Sequence, residues 1–277
     1  MTVCIGLLCG SGKYILLGSD TRGSYGNVTS NDEMGKLFDL PANYFGAIAG
    51  TVSYCEDIIA ELHHRMKQLP DPELAPQQVR ECIRESYHQV YLESAKQALE
   101  NGPRITLEQY WHDAKLAPRI RKQADHVLKS IEIEGAVIVS GFYKGNPAQF
   151  VAEPDPNDHS TLRIANEITP GNAVIGSGSF AALNWLNYRK QNVHLGLAHS
   201  ILHLTEAKQF AEVERTVGPF RQMVLLWNGG FKPLDWTSEI QQLTQAWWNR
   251  YGLPLSDGLE DESHNEAVRK VFGLPKV

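Results

Sequence analysis

Three residues near the start of the chain, Thr2, Asp20 and Lys36, have side chains that together could perform nucleophilic chemistry. Once Met1 is removed, Thr2 carries a hydroxyl group and a free α-amine on one residue. An N-terminal amine beside a threonine hydroxyl is a recognised way to activate a weak nucleophile, and its unperturbed pKa is about 7.7–8.0. A lysine held in its charged form by an aspartate would lower the pKa of both groups. The three residue types therefore predict a nucleophile that carries its own base.

The predicted strands position these residues at strand ends. An apolar strand is expected over residues 2–9, and a second over 14–18 ends just before Asp20. Lys36 opens a third strand that runs to residue 40. Gly50 follows a fourth over 44–49. The segment between Asp20 and Lys36 reads as a polar loop.

The order of the later elements argues against a doubly wound parallel sheet. Two helices follow the fourth strand, one with a capping box at residues 53–56 and one that begins at Pro76 and runs to about residue 100. Strands are then expected at about 135–142, 150–152, 161–164 and 173–175. Two more helices follow at about 180–190 and 194–214, and a last strand covers 221–227. Runs of strands followed by runs of helices lack the alternation of βαβ units.

Two segments extend this pattern. Residues 104–130 are rich in Arg, Lys and Gln and predict one or two helices, with Thr106 as a cap. We interpret them as an insertion that serves either as a packing element or as a contact between subunits. Residues 233–277 form a C-terminal extension, in which the adjacent Trp247 and Trp248 are expected to be packing or interface anchors.

Composition and charge exclude several classes of partner. The chain has 277 residues, of which 42% are hydrophobic and 21% charged, as in ordinary globular proteins. A formal net charge of -6 gives no reason to expect nucleic acid or an anionic membrane as a partner. No apolar run is long enough to span a bilayer, and no signal peptide is apparent. We therefore expect a cytoplasmic protein.

The four cysteines support a reducing compartment. None of them forms a C-x-x-C pair, so we expect buried free thiols. Cys4 and Cys9 are an odd number of residues apart in the first strand, which predicts that they face opposite sides of its sheet.

The chain resembles the β-type subunits of proteasomes and their bacterial relatives in the N-terminal-nucleophile hydrolase superfamily. The resemblance extends from about residue 2 to residue 230 and is carried by Thr2, Asp20, Arg22, Lys36, Ala49-Gly50 and Gly176-Ser177-Gly178-Ser179. It implies an α+β fold of the four-layer αββα type, with two antiparallel sheets flanked by helices. We expect one such domain over residues 1–277.

The resemblance also implies catalytic roles. Thr2 Oγ would attack a carbonyl carbon, with its own α-amine as general base. Lys36 would supply positive potential, Asp20 would fix Lys36, and Arg22 would support that loop. The backbone N–H of Gly50 would stabilise the oxyanion.

Further positions are assigned in the same way. Ser177 would donate a hydrogen bond near the α-amine. Glu214 stands where the family usually has an aspartate and is one methylene longer. Ser24, Ile48 and Val52 would line a substrate pocket that prefers apolar side chains.

The resemblance implies a threonine-type peptidase that acts on peptides or proteins without a metal or an organic cofactor. It would work in a self-compartmentalising ring or helical homo-oligomer, and protein substrates would call for a partner unfoldase. Two alternatives stay open. One is an amidase or transpeptidase of the same superfamily, with the insertion shaping its pocket. The other is a non-catalytic ring or scaffold subunit.

Overall fold

The computed structural model describes residues 2–21, 23–25, 28–31, 35–155, 158–168, 171–213, 217–218, 221–234, 242 and 262–273. In these residues the chain is a mixed α+β protein with two five-stranded antiparallel sheets. Helices cover the outer face of each sheet. The fold is therefore the predicted four-layer αββα sandwich.

The strands form two large sheets and one small one. The first sheet has the order β10-β1-β2-β11-β12, the second has the order β5-β6-β7-β8-β9, and β3 pairs with β4. Their bounds are β1 Cys4–Cys9, β2 Tyr14–Asp20, β3 Gly23–Tyr25, β4 Val28–Asn31, β5 Leu37–Leu40, β6 Tyr44–Gly50, β7 Gly135–Tyr143, β8 Asn146–Asp155, β9 Asp158–Asn166, β10 Asn172–Ile175, β11 Arg221–Trp227 and β12 Gly230–Pro233.

Seven helices lie in the part of the chain that the structure describes. They are α1 Val52–Gln68, α2 Pro76–Asn101, α3 Leu107–His112, α4 Pro118–Lys129, α5 Ser179–Tyr188, α6 Leu197–Ala211 and α7 Glu262–Phe272. Within these described segments, no helix is both long and apolar enough to cross a bilayer.

Three hydrophobic cores hold the four layers together. One lies between α5, α6 and the first sheet, one between the two sheets, and one between the second sheet and α1 and α2. Side chains alternate along β1 because successive residues of a strand point to opposite faces. Cys4 and Leu8 accordingly enter the core between the sheets, whereas Ile5, Leu7 and Cys9 face α5 and α6. This confirms the predicted opposite orientation of Cys4 and Cys9.

Helix α2 is fastened to the second sheet by a buried tyrosine. The Tyr87 hydroxyl lies 2.8 Å from the carbonyl oxygen of Gly135 and 3.1 Å from that of Ala152. These two carbonyls belong to β7 and β8. Burying this hydroxyl is tolerated because it has partners there.

Helix α6 is the most deeply buried helix, lying between the first sheet, α5 and α7. Its Glu206 accepts hydrogen bonds from Trp185 Nε1 at 2.9 Å and from Arg189 Nε at 2.6 Å. His199 and His203 are also buried.

Two local expectations were also wrong. Residues 23–25 and 28–31 pair as strands, although a polar loop was predicted there. Helix α1 begins at Val52 after Thr51, not at a capping box on Ser53. The reason is tertiary, since the Thr51 N–H donates to the Glu134 carbonyl at 2.7 Å. By contrast, Thr106 caps α3 as predicted.

All four cysteines are free and buried, as predicted. Most of the extension, including Trp247 and Trp248, lies outside the described residues. Its helix α7 packs on α6, where Asn265 Oδ1 accepts the Ala198 N–H at 3.1 Å.

We predict that Leu62→Ala destabilises the protein by about 2–5 kcal/mol, because the fully buried Leu62 fills the core under α1. Leu183→Ala is the matched control: its side chain is 40% exposed, so the loss should stay below about 1 kcal/mol. Urea unfolding followed by circular dichroism measures both. Equal losses would contradict the assigned helix layer.

Candidate active site

Thr2, Asp20 and Lys36 meet where several strand ends share one edge of the sandwich. Thr2 lies just before β1, Asp20 ends β2 and Lys36 precedes β5. Because Cys4 pairs with Ser19 and with Ile175, the end of β10 lies at the same level. The antiparallel pairing therefore brings together residues that are far apart in sequence.

Thr2, Asp20 and Lys36 form one buried cluster. Their exposed fractions are 4%, 0% and 5%. The Thr2 hydroxyl donates to Asp20 Oδ1 and accepts a hydrogen bond from the Lys36 ammonium. Lys36 Nζ also lies 2.9 Å from Asp20 Oδ1. The hydroxyl oxygen thus sits between a cation and a carboxylate.

Backbone amides complete the shell of the Asp20 carboxylate. The Val3 N–H donates to Oδ1 at 3.0 Å, and the Gly218 N–H donates to Oδ2 at 2.9 Å. Carboxylate oxygens buried away from water need such partners. Asp20 therefore binds the start of β1, Lys36 and the loop after α6 at once.

A buried lysine holds the Gly218 turn. Lys208, on α6, donates to the Gly218 carbonyl oxygen and lies 2.7 Å from Glu212 Oε1. The same residue, Gly218, presents its N–H to Asp20. Lys208 consequently fixes the turn that supplies a donor to the cluster.

The main chain of Lys36 is held from two sides. Its N–H donates to Gln222 Oε1 at 2.9 Å, and its carbonyl accepts the Ile48 N–H at 3.1 Å. The first contact comes from β11 in one sheet and the second from β6 in the other. Both sheets therefore determine where the ammonium lies.

The carbonyl of Thr2 is bound by the turn after β10. The Gly178 N–H donates to it at 3.2 Å and Ser177 Oγ at 3.4 Å. Gly176 has φ +95°, and a Cβ there would lie 2.2 Å from the Thr2 oxygen. Only glycine allows this approach. Ser177 thus contacts the Thr2 carbonyl, and its hydrogen bond near the α-amine stays a prediction.

Gly50 stands at the same edge, at the end of β6. It is two residues beyond Ile48, which pairs with the Lys36 carbonyl, so it lies about 7 Å further along the strand. Its φ is +136°, and a Cβ would lie 2.3 Å from the Glu134 carbonyl oxygen. Any other residue would push the chain away from β7 at this point.

Two thiols lie close to the lysine. Cys4 Sγ donates to the Ile48 carbonyl at 3.1 Å, which joins β1 to β6 beneath the cluster. Burial raises the pKa of Cys4 well above its usual range and that of Cys55 to about 12, although the Lys36 charge opposes both shifts. Both groups therefore remain neutral thiols and do not compete with Asp20 for Lys36.

For the other predicted site residues, the structure shows burial alone or does not describe the side chain. Ile48 is buried in the core under α1, and Val52 is half-buried at the first turn of that helix. Their contact with a substrate stays a prediction. Arg22, Glu214 and the side chain of Ser24 lie outside the described residues.

Sequence reasoning missed three contributors, namely Lys208, Gly218 and Gln222. Each reaches the cluster across the fold, and a lysine, glycine or glutamine alone carries no signal for that. The resemblance pointed to Glu214, four residues before Gly218, and gave no signal for the Gly218 backbone N–H.

This arrangement suits acyl transfer at Thr2. The Lys36 ammonium would stabilise negative charge on the hydroxyl oxygen as it attacks, and Asp20 keeps the ammonium in place. Among the residues described, no group of three or more His, Cys, Asp or Glu side chains is arranged to hold a metal ion.

A comparison of the chain with models of known protein families finds no match, and a comparison with curated proteins finds none either.

We predict that Lys208→Met speeds hydrogen exchange at Gly218 at least about tenfold and lowers the free energy of unfolding by about 1–3 kcal/mol. The substitution leaves a buried carbonyl without its ammonium donor. Exchange mass spectrometry of peptides that cover 217–223 measures the first effect. Lys190→Met, at an exposed position, is the control. Unchanged exchange at Gly218 would contradict the assigned role.

We predict a pH effect from Cys55. Its folded pKa of about 12 exceeds the unfolded value of 9.0, so its stabilising contribution is complete below pH 9 and is lost as the pH rises towards 12. Between pH 8 and 10.5 the wild type should therefore lose about 2 kcal/mol more unfolding free energy than Cys55→Ala. Denaturant titrations at both pH values measure this difference. Parallel losses in the two proteins would exclude it.

Proposed function

We propose that the protein is a threonine-type hydrolase of the N-terminal-nucleophile class that cleaves peptide bonds. The observation that carries the proposal is the buried contact of the Thr2 hydroxyl with both the Lys36 ammonium and the Asp20 carboxylate. Two further observations support it. They are the αββα sandwich and the glycine at position 50, where the backbone can approach β7 closely.

The first chemical step would acylate Thr2. Cleavage of the Met1–Thr2 bond frees the α-amine, which takes the hydroxyl proton directly or through a water molecule. Thr2 Oγ then bonds to the substrate carbonyl carbon. The C–N bond breaks as the leaving amine receives that proton, and an ester remains on Thr2.

The second step would hydrolyse this ester. The free α-amine now removes a proton from water, and the water oxygen bonds to the ester carbonyl carbon. The C–O bond to Thr2 then breaks, the α-amine returns the proton to Oγ, and the substrate leaves as a carboxylic acid. Lys36 stabilises the oxygen in both steps because its charge is fixed by Asp20. The N–H of Gly50 would bind the oxyanion, a contact whose removal typically costs about 2.7–4 kcal/mol.

The biological setting follows from the same resemblance and is part of the proposal. Peptidase sites of this kind are enclosed within self-associated rings or helical assemblies, and folded substrates reach them with the help of an unfoldase. We place the enzyme in the cytoplasm, in keeping with its four free buried cysteines.

We predict that the assembled protein lacks Met1 and that a peptide epoxyketone forms one covalent adduct at Thr2. This probe reacts with the hydroxyl and the free amine together, so it reports both. Thr2→Ala should form no adduct, and Thr2→Ser should retain one. Lys36→Ala should react about 100- to 1,000-fold more slowly, whereas the exposed Lys67→Ala should match the wild type. Intact-protein mass spectrometry follows each reaction.

The outcomes separate the alternatives. Retained Met1 in the assembled protein would exclude the mechanism and favour a non-catalytic scaffold subunit. An adduct at Thr2 combined with cleavage of small non-peptide amides, but not of peptides, would favour an amidase or transpeptidase.

A further inference from the structure

Residues 104–130, which include the helices α3 and α4, form an arm at the C-terminal end of α2. We call these residues the basic arm. A small core of Leu99, Ile105 and Ala124 attaches the arm to α2. The arm is remote in sequence from the strand ends that carry Thr2, Asp20 and Lys36, and the proposed chemistry assigns it no role.

The basic arm is ordered by its own contacts. Thr106 and Gln109 form a capping box at the start of α3. The Tyr110 hydroxyl donates to Asp125 Oδ1 at 2.8 Å, and Arg121 Nη2 donates to the Asp113 carbonyl at 3.0 Å. An arm built in this way can bind a partner without first becoming ordered, which lowers the entropic cost of association.

One face of α4 carries a row of basic side chains. Arg119, Lys122, His126 and Lys129 are all exposed and follow a spacing of three, four and three residues, which aligns them on a single helix face. This basic stripe lies opposite Ala124, the residue that faces α2. Trp111 of α3 adds an aromatic side chain that is 56% exposed, and tryptophan is a frequent anchor in protein interfaces.

The charge of the basic arm contrasts with that of the remaining chain. Residues 104–130 contain six Lys or Arg and three Asp or Glu, a formal net charge of +3. The whole chain has -6, so the residues outside the arm carry -9. An arm of opposite sign to its own protein is complementary to a second copy of that protein.

A matching acidic groove lies between α1, α2 and the end of α4. It encloses about 1040 Å³ and is lined by Asp57, Glu61, Glu93 and Glu132. Among its described lining residues there is no Lys, Arg or His. Glu61 Oε1 lies 2.7 Å from Arg65 Nε, which offsets its charge. The other three carboxylates therefore contribute most of the negative electrostatic potential in the groove.

The stripe cannot occupy the groove of its own chain. Of the described residues of α4, Val127 lines the groove, and at 3.6 residues per turn it points about 120° away from the centre of the stripe. The centre of the stripe therefore faces away from the groove of its own chain, and the stripe presents about 15 Å of helix to a partner.

We propose that the basic stripe of one copy docks into the acidic groove of a second copy of this chain. Because the two surfaces differ, the contact is head-to-tail and generates either a closed ring or an open helix. The inference deepens the self-association within the proposed function and does not depend on the chemistry of Thr2. A nucleic acid is disfavoured as the occupant, since the remaining charge of -9 would repel it.

The test is a charge exchange between two variants of the full chain. The stripe variant is Lys122→Glu/Lys129→Glu, and the groove variant is Glu93→Lys/Glu132→Lys. Each variant alone should self-associate at least about tenfold more weakly than the wild type, because like charges now meet. A mixture of the two should assemble in alternation, since every stripe then faces a groove of opposite charge. Light scattering and mass photometry measure assembly at 50 and 500 mM NaCl, and higher salt should weaken wild-type assembly.

Lys67→Glu/Lys190→Glu makes the same change in net charge at exposed positions away from the stripe and should assemble like the wild type. Unimpaired assembly of either charge-reversed variant, failure of the mixture to assemble, or a monomeric wild type would overturn the inference. So would nucleic acid that copurifies with the wild type and is lost from the stripe variant. Epoxyketone labelling of the same samples reports on Thr2 separately, so an assembled but unlabelled wild type would refute the chemistry and leave this contact standing.

Discussion

The carboxylate of Asp20 is the contact on which the candidate site depends. It is fully buried, and an ionised carboxylate in that position costs several kcal/mol unless it is paired and hydrogen-bonded. Its partners are the Thr2 hydroxyl, the Val3 and Gly218 amides and the Lys36 ammonium. These donors come from three separate segments: the start of β1, the residue before β5 and the loop after α6. The cluster can therefore form only when the strand ends and the loop after α6 are all in place.

The layered architecture explains how those segments converge. Each strand that carries a site residue reaches the same edge because its neighbours are antiparallel and in register. The core between the sheets then joins the edges of both sheets, as the contact from Cys4 to Ile48 illustrates. The helices on the outer faces bury the remaining apolar sides. The basic arm is added outside this framework, so its surface can serve assembly without disturbing the site.

Several elements were predictable because their signals are local. The apolar alternation of β1 placed Cys4 and Cys9 on opposite faces, and Pro76 marked the start of α2. The cap at Thr106 was predictable because its hydrogen bond joins residues only three positions apart, Thr106 and Gln109. By contrast, the start of α1 was misjudged because its N-cap residue is held by Glu134, 83 residues away. The pairing of β3 with β4 was missed because both are short and polar.

The sequence by itself determined the alternating strands, the amphipathic helices and the presence of a threonine, an aspartate and a lysine that could act together. These features depend on residue type and spacing within a few turns or strands. Only the tertiary structure decided that Gly218, Lys208 and Gln222 complete the cluster. The hydrogen bond from Gly218 to Asp20 joins residues 198 positions apart, and that from Lys36 to Gln222 joins residues 186 apart. Such contacts arise from the packing of whole sheets and helices, because backbone amides and single polar side chains have no partner until the layers meet.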